Sequence, residues 1–317
     1  MGEQLTGLVI RTQSGFFTVD TLQGPIVCQL RGRLKEEYQE TDLVAIGDRV
    51  TVERLETGAD TVGGVIVAVA ERERVLSRVA PRSAVGTSKE REQVIIANPD
   101  QAIFVFAAAQ PGPHLRMLDR FLVAAEKAAI PAIRICVNKI DLVPDLAATR
   151  ALFAEYERIG YPVLYVSAKT GVGIAALHDV LVGKISVFTG PSGVGKTSLL
   201  NAIEPDLGRR VSAVSTATTK GRHTTRYSEM VPLADGGYVA DTPGIRAISP
   251  WDVEPHELDG YYIEIAPLVA DCKFPDCTHT HEPGCAVRAA VERGAVSAER
   301  YDSYLRLREM LEEEYVY

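Results

Sequence analysis

The chain has 317 residues, a formal net charge of −8 at pH 7 and 46% hydrophobic residues. This length is enough for two or three domains, and the composition is ordinary for a globular protein. No apolar stretch approaches the roughly 18 residues that a membrane span needs, and the first residues lack the basic start and apolar core of a signal peptide. We therefore expect a cytoplasmic protein that does not contact a membrane, with its five cysteines as thiols or metal ligands.

The charge is distributed unevenly along the chain. Residues 1–75 carry a net charge of −4, residues 76–250 carry +5 and residues 251–317 carry −9. Nucleic-acid-binding proteins often contain a globally basic domain. Because most of this chain is acidic, any contact with RNA is expected to use local basic patches.

Residues 1–75 predict a small all-β domain. Short runs of alternating or branched residues recur between turns rich in Gly, Asp and Ser, at residues 7–11, 15–20, 25–30, 49–54 and 64–70. Five strands at this spacing favour an OB-fold barrel, which usually binds oligonucleotides. Arg31, Arg33 and Lys35 are candidates for contact with an RNA backbone; a barrel that docks a protein is the alternative.

The central region, residues 76–250, predicts an α/β domain behind a linker. Residues 76–98 are polar and basic and contain Pro81, which predicts irregular chain. Three apolar runs then alternate with amphipathic stretches. The runs are residues 101–109, 133–137 and 162–166, and the amphipathic stretches are residues 115–129, 146–159 and 174–181. This alternation predicts a parallel sheet with helices on both faces.

Two of the turns that follow these strands carry the signature of a guanine site. Residues 138–141 read Asn138, Lys139, Ile140 and Asp141, which fits the N-K-x-D motif of guanine-specific GTPases. One carboxylate can accept hydrogen bonds from both N1–H and N2–H of guanine, so Asp141 is the predicted specificity residue. Lys139 would lie over the base, and Asn138 would tie this loop to the phosphate loop. The next strand ends in Ser167, Ala168 and Lys169, where the Ala168 N–H would meet guanine O6.

A phosphate-binding loop follows the strand at residues 185–189. It fits G-x-x-x-x-G-K-[ST], in which glycines let backbone N–H groups surround phosphate oxygens and a helix N-terminus adds donors. Lys196 would bring its charge to the β- and γ-phosphates as a catalytic group, and the Thr197 hydroxyl would bind Mg²⁺. The predicted nucleotide-binding residues of this loop are Gly190, Pro191, Ser192, Gly193, Val194, Gly195, Lys196, Thr197 and Ser198.

Two further segments have the character of GTPase switches. Residues 209–226 are basic and contain two threonines that suit a Mg²⁺ ligand, Thr224 and Thr225, of which we favour Thr225. Asp241 would hold the Mg²⁺ shell and the Gly244 N–H would sense the γ-phosphate. Many GTPases place a glutamine after this glycine to orient water; here Ile245 stands there, which predicts slow intrinsic hydrolysis. His223 is the candidate replacement, with a structural role as the alternative.

The order of these motifs is permuted. The common GTPase order begins with the phosphate loop and ends with the base loops, whereas here the base loops come first. A circular permutation of the sheet explains this order, because permutation is tolerated where natural termini lie close together. The second switch then runs directly into the C-terminal region.

Residues 251–317 predict a helical domain that holds a metal. Cys272, Cys277, His279 and Cys285 form C-x₄-C-x-H-x₅-C, the donor set of a closed, structural Zn²⁺ site. His281 is a possible substitute ligand. The flanks, residues 255–269 and 286–315, have acidic helical patterns that would suit a basic partner or simple solvation.

Taken together, these motifs resemble the circularly permuted, ribosome small-subunit-dependent GTPases of the RsgA family. The resemblance extends over nearly the whole chain, from the N-terminal barrel through N-K-x-D, S-A-K, G-P-S-G-V-G-K-T, G-R-H-T-T and D-T-P-G to the Cys/His cluster. It implies hydrolysis of GTP to GDP, stimulated by the 30S subunit and coupled to its late maturation. It also implies contacts with ribosomal RNA, and we expect a monomer.

Two other functions compete with this interpretation. A metabolic phosphate-loop enzyme, such as a kinase, would have no use for Asp141 beside Ser167 and Ala168. An RNA-binding module without hydrolysis would bind the small subunit but release no phosphate. Nucleotide competition separates the first alternative, and phosphate release with and without 30S particles separates the second.

Overall fold

The computed structural model describes residues 3–32, 43–55, 63–79, 92–208, 227–240 and 253–315. Its N-terminal part is a closed five-stranded barrel, as predicted. Every pairing in the barrel is antiparallel except the parallel pair β3–β5, and the pair β1–β4 closes the ring. Alternating side chains such as Val19, Cys28 and Ile66 fill the interior. The strands are β1 (Gln4–Gln13), β2 (Phe16–Thr21), β3 (Gly24–Leu30), β4 (Arg49–Arg54) and β5 (Gly64–Val69).

The linker predicted at residues 76–98 is wrong where the structure describes it. Strands β6 (Val75–Val79) and β7 (Glu92–Ala97) pair antiparallel. Leu76 and Ile96 are buried, and the Ala97 N–H donates to the Ile46 carbonyl at 2.8 Å. The apolar side chains that drive this pairing are separated in sequence by polar, Pro-containing chain, which hides the hairpin pattern.

The central sheet has the predicted α/β architecture. Its strand order is β10–β9–β8–β11–β14–β13, with all neighbours parallel except the last pair. The strands are β8 (Gln101–Ala107), β9 (Ala132–Asn138), β10 (Val163–Tyr165), β11 (Ile185–Thr189), β13 (Val231–Pro232) and β14 (Tyr238–Ala240). The helices are α1 (Leu115–Lys127), α2 (Leu146–Ile159), α3 (Ile174–Leu181) and α4 (Lys196–Ile203). Two apolar clusters, one on each face, cover the sheet, and its central strands β8 and β11 are buried throughout.

One strand of the central region belongs to the barrel sheet. Strand β12 (Tyr227–Glu229) pairs antiparallel with the end of β1. The next residue, Met230, is fully buried and donates its N–H to the Ile10 carbonyl at 2.8 Å. The chain then enters the central sheet as β13, so one continuous ribbon connects the two sheets.

The C-terminal part packs on the central helices. Helices α5 (Ala286–Glu292) and α6 (Ala298–Tyr315) lie where a helical pattern was predicted. The helix predicted at residues 255–269 is wrong; the structure has two 3₁₀ turns there, Leu258–Tyr261 and Ala266–Asp271. Val123 of α1 lies in the same apolar cluster as Tyr262 and Tyr304, so α1 completes this core.

Within the part of the chain that the structure describes, no helix is both long enough and apolar enough to cross a bilayer.

Candidate nucleotide site and metal centre

Four loops meet at one edge of the central sheet. Strands β8, β9, β10 and β11 are parallel, so the loops that follow them lie at their shared carboxyl end. Ligands of open α/β sheets bind at this edge. A cavity of about 290 Å³ opens there, between the two predicted base loops and the end of the phosphate loop. It is lined by Asn138, Lys139, Asp141, Leu142, Ala168, Lys169, Gly195 and Ser198.

Asn138 joins three of these loops. Its side chain is 1% exposed, and its Nδ2 donates to the Val194 carbonyl at 2.9 Å. Its Oδ1 accepts from the Ala168 N–H at 3.2 Å. A single buried amide therefore holds the first base loop, the second base loop and the phosphate loop in fixed relation, since its donor and its acceptor are both used.

Lys139 bridges the phosphate loop and a loop that the sequence analysis did not identify. Its backbone is left-handed, with φ 61°, and its Nζ donates to the Gly193 carbonyl at 2.6 Å. The same ammonium also donates to the Gln110 carbonyl. Gln110 lies in the loop of residues 108–114, between β8 and α1. The Pro-Gly-Pro sequence at residues 111–113 indicates a loop after β8, at the carboxyl edge of the sheet. No sequence feature near it predicts the contact with Lys139.

Asp141 is oriented by Ser167. The Ser167 hydroxyl donates to Asp141 Oδ1 at 2.6 Å and accepts from the Thr170 N–H at 3.1 Å. The 3₁₀ turn Ile140–Leu142 directs this aspartate to the cavity. One carboxylate oxygen is thus fixed by a charge-assisted hydrogen bond, which limits the directions in which the carboxylate can accept from a ligand.

The phosphate loop depends on its glycines. A Cβ at Gly190 would lie 2.0 Å from the Val105 carbonyl oxygen, so only glycine fits there. Gly195 has φ 91°, and a Cβ would lie 2.5 Å from Asn138 Nδ2. Helix α4 begins at Lys196, whose Nζ donates to the carbonyls of Gly190 at 2.8 Å and Pro191 at 3.1 Å. The lysine therefore lies over the loop whose N–H groups would surround a phosphate.

Several predicted site residues fall outside the described ranges. These are Arg33, Lys35, His223, Thr224, Thr225, Asp241, Gly244 and Ile245. Arg31 lies within the described ranges and is exposed; its guanidinium is 3.1 Å from the Glu53 carboxylate.

The predicted metal ligands converge in the C-terminal part. The Cys272, Cys277 and Cys285 sulfurs and a His279 ring nitrogen lie within 4.8 Å of one another. His279 Nδ1 is 3.4 Å from the Cys285 sulfur and 3.6 Å from the Cys272 sulfur. Three sulfur donors and one imidazole around a common centre could hold a metal ion of tetrahedral preference.

The surroundings of this cluster fit thiolate ligands and a metal-bound imidazole. Backbone N–H groups of Ala286 and Arg288 each point at a cysteine sulfur at 3.4 Å. His279 is fully buried, and its Nε2 lies 3.0 Å from the Asp259 carboxylate, which leaves Nδ1 facing the sulfurs. A carboxylate behind a metal-binding histidine fixes the ring orientation.

The other candidates for metal binding lie elsewhere. His281 is exposed and its Nδ1 contacts the Thr280 hydroxyl at 2.7 Å, outside the cluster. Burial raises the pKa of Cys28 to about 11 and that of Cys136 to about 12. Both are protonated, apolar core residues at neutral pH.

Comparison with known proteins agrees with these features. A family model described as RsgA GTPase matches residues 69–251, and one described as RsgA N-terminal domain matches residues 6–62. A protein of Gemmatimonas aurantiaca named small ribosomal subunit biogenesis GTPase RsgA is 46% identical over 313 residues, which cover 98% of this chain and 99% of that protein. Its counterpart of the same name in Chlorobaculum parvum is 41% identical over 316 residues, or 99% of this chain and 100% of that protein.

Solved structures lead to the same family. The crystal structure of YjeQ from Thermotoga maritima superposes with a TM-score of 0.77 at 35% identity, and covers 98% of this chain and 99% of that one. The structure of YloQ, described as a circularly permuted GTPase, superposes with a TM-score of 0.74 at 30% identity, and covers 98% and 96% of the two chains. The base loops precede the phosphate loop in the chain and yet meet it in space. Similar proteins match nearly the whole chain both in sequence and in structure. This chain therefore belongs to the RsgA GTPase family.

Proposed function

We propose that this protein hydrolyses GTP to GDP and phosphate, is stimulated by the small ribosomal subunit, and acts in late maturation of the 30S particle. The observation that carries the proposal is the meeting of Asp141, Ala168 and Gly195 in one cavity at the carboxyl edge of a permuted sheet. The relatives' name, small ribosomal subunit biogenesis GTPase, supplies the partner.

In this proposal the base loops select guanine. Asp141, oriented by Ser167, accepts from N1–H and N2–H of the base. The Ala168 N–H, which donates to Asn138 Oδ1 at 3.2 Å in this structure, would share its hydrogen between that oxygen and guanine O6. The Lys139 stem lies over the ring while its ammonium holds the Gly193 carbonyl. Adenine lacks the two donors that Asp141 requires, and a site built on such hydrogen bonds rejects the wrong ligand by roughly 10⁴ or more. Lys169 completes the wall of the cavity.

The phosphate loop and the switches supply the chemistry. Backbone N–H groups of residues 190–198, except Pro191, which has none, surround the phosphates, and Lys196 exchanges its carbonyl partners for the β- and γ-phosphates. We assign Thr197 and Thr225 as Mg²⁺ ligands, Asp241 to the Mg²⁺ shell and the Gly244 N–H to the γ-phosphate. Mg²⁺ would neutralise charge that develops in phosphoryl transfer. His223 is the proposed group that orients the attacking water.

The outer parts of the molecule are proposed to bind the particle. We assign residues 1–75 as an RNA-binding barrel, residues 76–250 as the GTPase domain and residues 251–317 as a zinc domain in a cytoplasmic monomer. Zn²⁺ would be structural, since four protein donors complete a tetrahedral shell. The barrel and the zinc domain would contact ribosomal RNA and protein.

Nucleotide competition tests the base site. The protein is loaded with a fluorescent GDP analogue in Mg²⁺ buffer, and unlabelled GDP, GTP and ATP are titrated as competitors. We expect GDP and GTP to displace the probe and ATP to fail at a thousandfold excess. Displacement by ATP as efficient as by GTP would favour the metabolic-enzyme alternative.

Co-sedimentation tests the partner. We expect the protein to pellet with purified 30S particles when a non-hydrolysable GTP analogue is bound, and to pellet less with GDP. Equal recovery in the absence of particles, or no recovery with either nucleotide, would contradict the proposed partner.

A further inference from the structure

The two loops that hold Lys139 in place lead into two neighbouring helices. The loop of residues 108–114, whose Gln110 carbonyl accepts from the Lys139 ammonium, leads directly into α1. Lys139 itself lies in the loop that leads through the 3₁₀ turn Ile140–Leu142 into α2. The position of the lysine therefore depends on how α1 and α2 are held against each other.

A buried hydrogen bond joins these two helices. The Tyr156 hydroxyl of α2 donates to Asp119 Oδ1 of α1 at 2.7 Å. Asp119 is 2% exposed and lies one turn from the N-terminus of α1, close to the loop that contacts Lys139. A buried carboxylate is costly unless hydrogen bonds and an opposite charge compensate it. The contact between Asp119 and Tyr156, which we call the α1–α2 joint, therefore needs a second donor that carries positive charge.

That donor comes from the C-terminal helix α6. Arg300 is 2% exposed, and its Nη1 donates to Asp119 Oδ1 at 2.6 Å. The opposite side of the guanidinium is held by Glu264, through Nε at 2.7 Å and Nη2 at 3.0 Å. Its plane lies over the Tyr262 ring at 4.5 Å. Arg300 therefore fixes the C-terminal region directly onto the α1–α2 joint.

We propose that Arg300 is a positioning residue for guanine-nucleotide binding, which acts through Asp119 and the α1–α2 joint on the loops that hold Lys139. This inference rests on the proposed function, since it concerns the same nucleotide cavity. Its consequence is that the state of the C-terminal region sets how tightly the nucleotide is held, although none of the residues described in that region, 253–315, lines the cavity.

The chemistry of the joint explains why its effect is large. Arg300 binds both oxygens of Glu264 through one side of its planar fork while Nη1 donates to Asp119, and a lysine ammonium, a compact point charge, cannot reproduce this bidentate geometry. If Asp119 loses one of its hydrogen-bond donors, its buried carboxylate must be reached by water, or helix α1 must shift to bring it to another donor. Displacements of about 1 Å at a binding site are enough to weaken it substantially. Coupling between distant sites typically changes affinity by about 5- to 150-fold.

The test measures the dissociation constant of a fluorescent GDP analogue for the full-length protein. We expect Arg300→Lys and Tyr156→Phe each to weaken binding by about fivefold or more, with thermal melting used to confirm folding. The matched control is Arg306→Lys on the same helix, because Arg306 is exposed and its ion pair with Asp302 lies at the surface. We expect the control to bind as the wild type does.

A double-mutant cycle separates positioning from a general loss of stability. In the Lys139→Ala background, the inference predicts that Arg300→Lys no longer changes the dissociation constant, since the coupling ends on that lysine. The inference would be overturned if the effects of Arg300→Lys and Lys139→Ala on the dissociation constant simply added. It would also be overturned if folded Tyr156→Phe bound the probe within twofold of the wild type. If Arg300→Lys does not fold, Tyr156→Phe takes its place in the cycle. A wild-type protein that binds no guanine nucleotide would instead overturn the proposed function.

Discussion

At the residue scale, Asp141 is the side chain that we propose sets the preference for guanine nucleotides. Its carboxylate is oriented by the Ser167 hydroxyl at 2.6 Å and borders the cavity beside Ala168. We expect Asp141→Asn to weaken GTP binding by roughly two orders of magnitude, because a buried donor on guanine loses its acceptor. Xanthosine nucleotides, which present an acceptor in place of N2–H, should bind the variant better than GTP. Competition titration measures this, and an unchanged preference for GTP would remove Asp141 from the site.

Gly195 tests the packing of the phosphate loop. We expect Gly195→Ala to lower nucleotide affinity at least tenfold and to lower the melting temperature, because the added Cβ would lie 2.5 Å from Asn138 Nδ2 at a left-handed φ of 91°. Gly112→Ala is the matched control, since a Cβ there meets nothing within 4 Å. The account of this loop would be wrong if both variants bound nucleotide equally well.

At the residue scale, short motifs and one contact between them were predictable, and other tertiary contacts were not. Asn138, Asp141 and Lys196 are candidates from sequence because their proposed chemistry needs fixed spacing within short loops. The expected contact of Asn138 with the phosphate loop is present as its hydrogen bond to the Val194 carbonyl. The contact of Lys139 with the Gln110 carbonyl joins residues 29 positions apart, and the pairing of Asp119 with Arg300 joins residues 181 positions apart. Neither has a local signature, because a carbonyl can be supplied by any residue and buried arginines resemble exposed ones in sequence.

At the scale of elements, three of the four residues of the Cys/His cluster lie in a segment of the C-terminal region that has neither α-helix nor strand, and the fourth, Cys285, directly precedes α5. Residues 253–285 contain only 3₁₀ turns, and the ring of His279 packs near Tyr304 at 6.1 Å. Tyr304 in turn donates to the Thr278 carbonyl at 3.1 Å and meets Tyr262 edge-on at 5.5 Å. Metal binding would thus order this segment and the ring that supports Arg300.

Zinc analysis tests that role. We expect the wild type to contain one zinc per chain, and Cys277→Ser to lose it and melt at a lower temperature, since structural zinc contributes about 10–16 kcal/mol in isolated finger peptides. Cys28→Ser, which alters a thiol in the barrel core, should keep its zinc and serves as the control. Full zinc content in Cys277→Ser would contradict the assigned ligand set.

Helices and strands were predictable where the spacing of apolar residues, or a glycine-rich turn at their start, indicates them. The start of α4 at Lys196 and the extent of α2, residues 146–159, follow from the glycine loop and the amphipathic pattern. The pair β6–β7 was missed because polar, Pro-containing chain separates its two strands. Strand β12 was missed because its partner β1 lies far away in sequence, and strand pairing depends on the partner. The 3₁₀ turns near residue 260 were predicted as an α-helix because the spacing of apolar residues does not by itself distinguish 3₁₀ turns from an α-helix.

At the scale of the whole molecule, the barrel and the C-terminal region are each joined to the central region by packed structure. Strand β12 joins the barrel sheet and continues into the central sheet, while Arg300 fixes α6 to α1. The first connection ends on β13, the edge strand of the central sheet, and the second ends on α1, which follows the loop whose Gln110 carbonyl contacts Lys139. A particle that binds the outer parts of the molecule would therefore act on the central sheet through packed structure rather than through flexible linkers.

The rate of phosphate release from GTP tests the central claim most directly. It is measured for the purified protein alone, with 30S particles and with 50S particles, under identical Mg²⁺ and salt concentrations. We predict slow release alone, because Ile245 stands where many GTPases carry glutamine, and an acceleration of at least tenfold by 30S particles only. A rate that 30S particles leave unchanged, or that 50S particles raise equally, would contradict the proposed function.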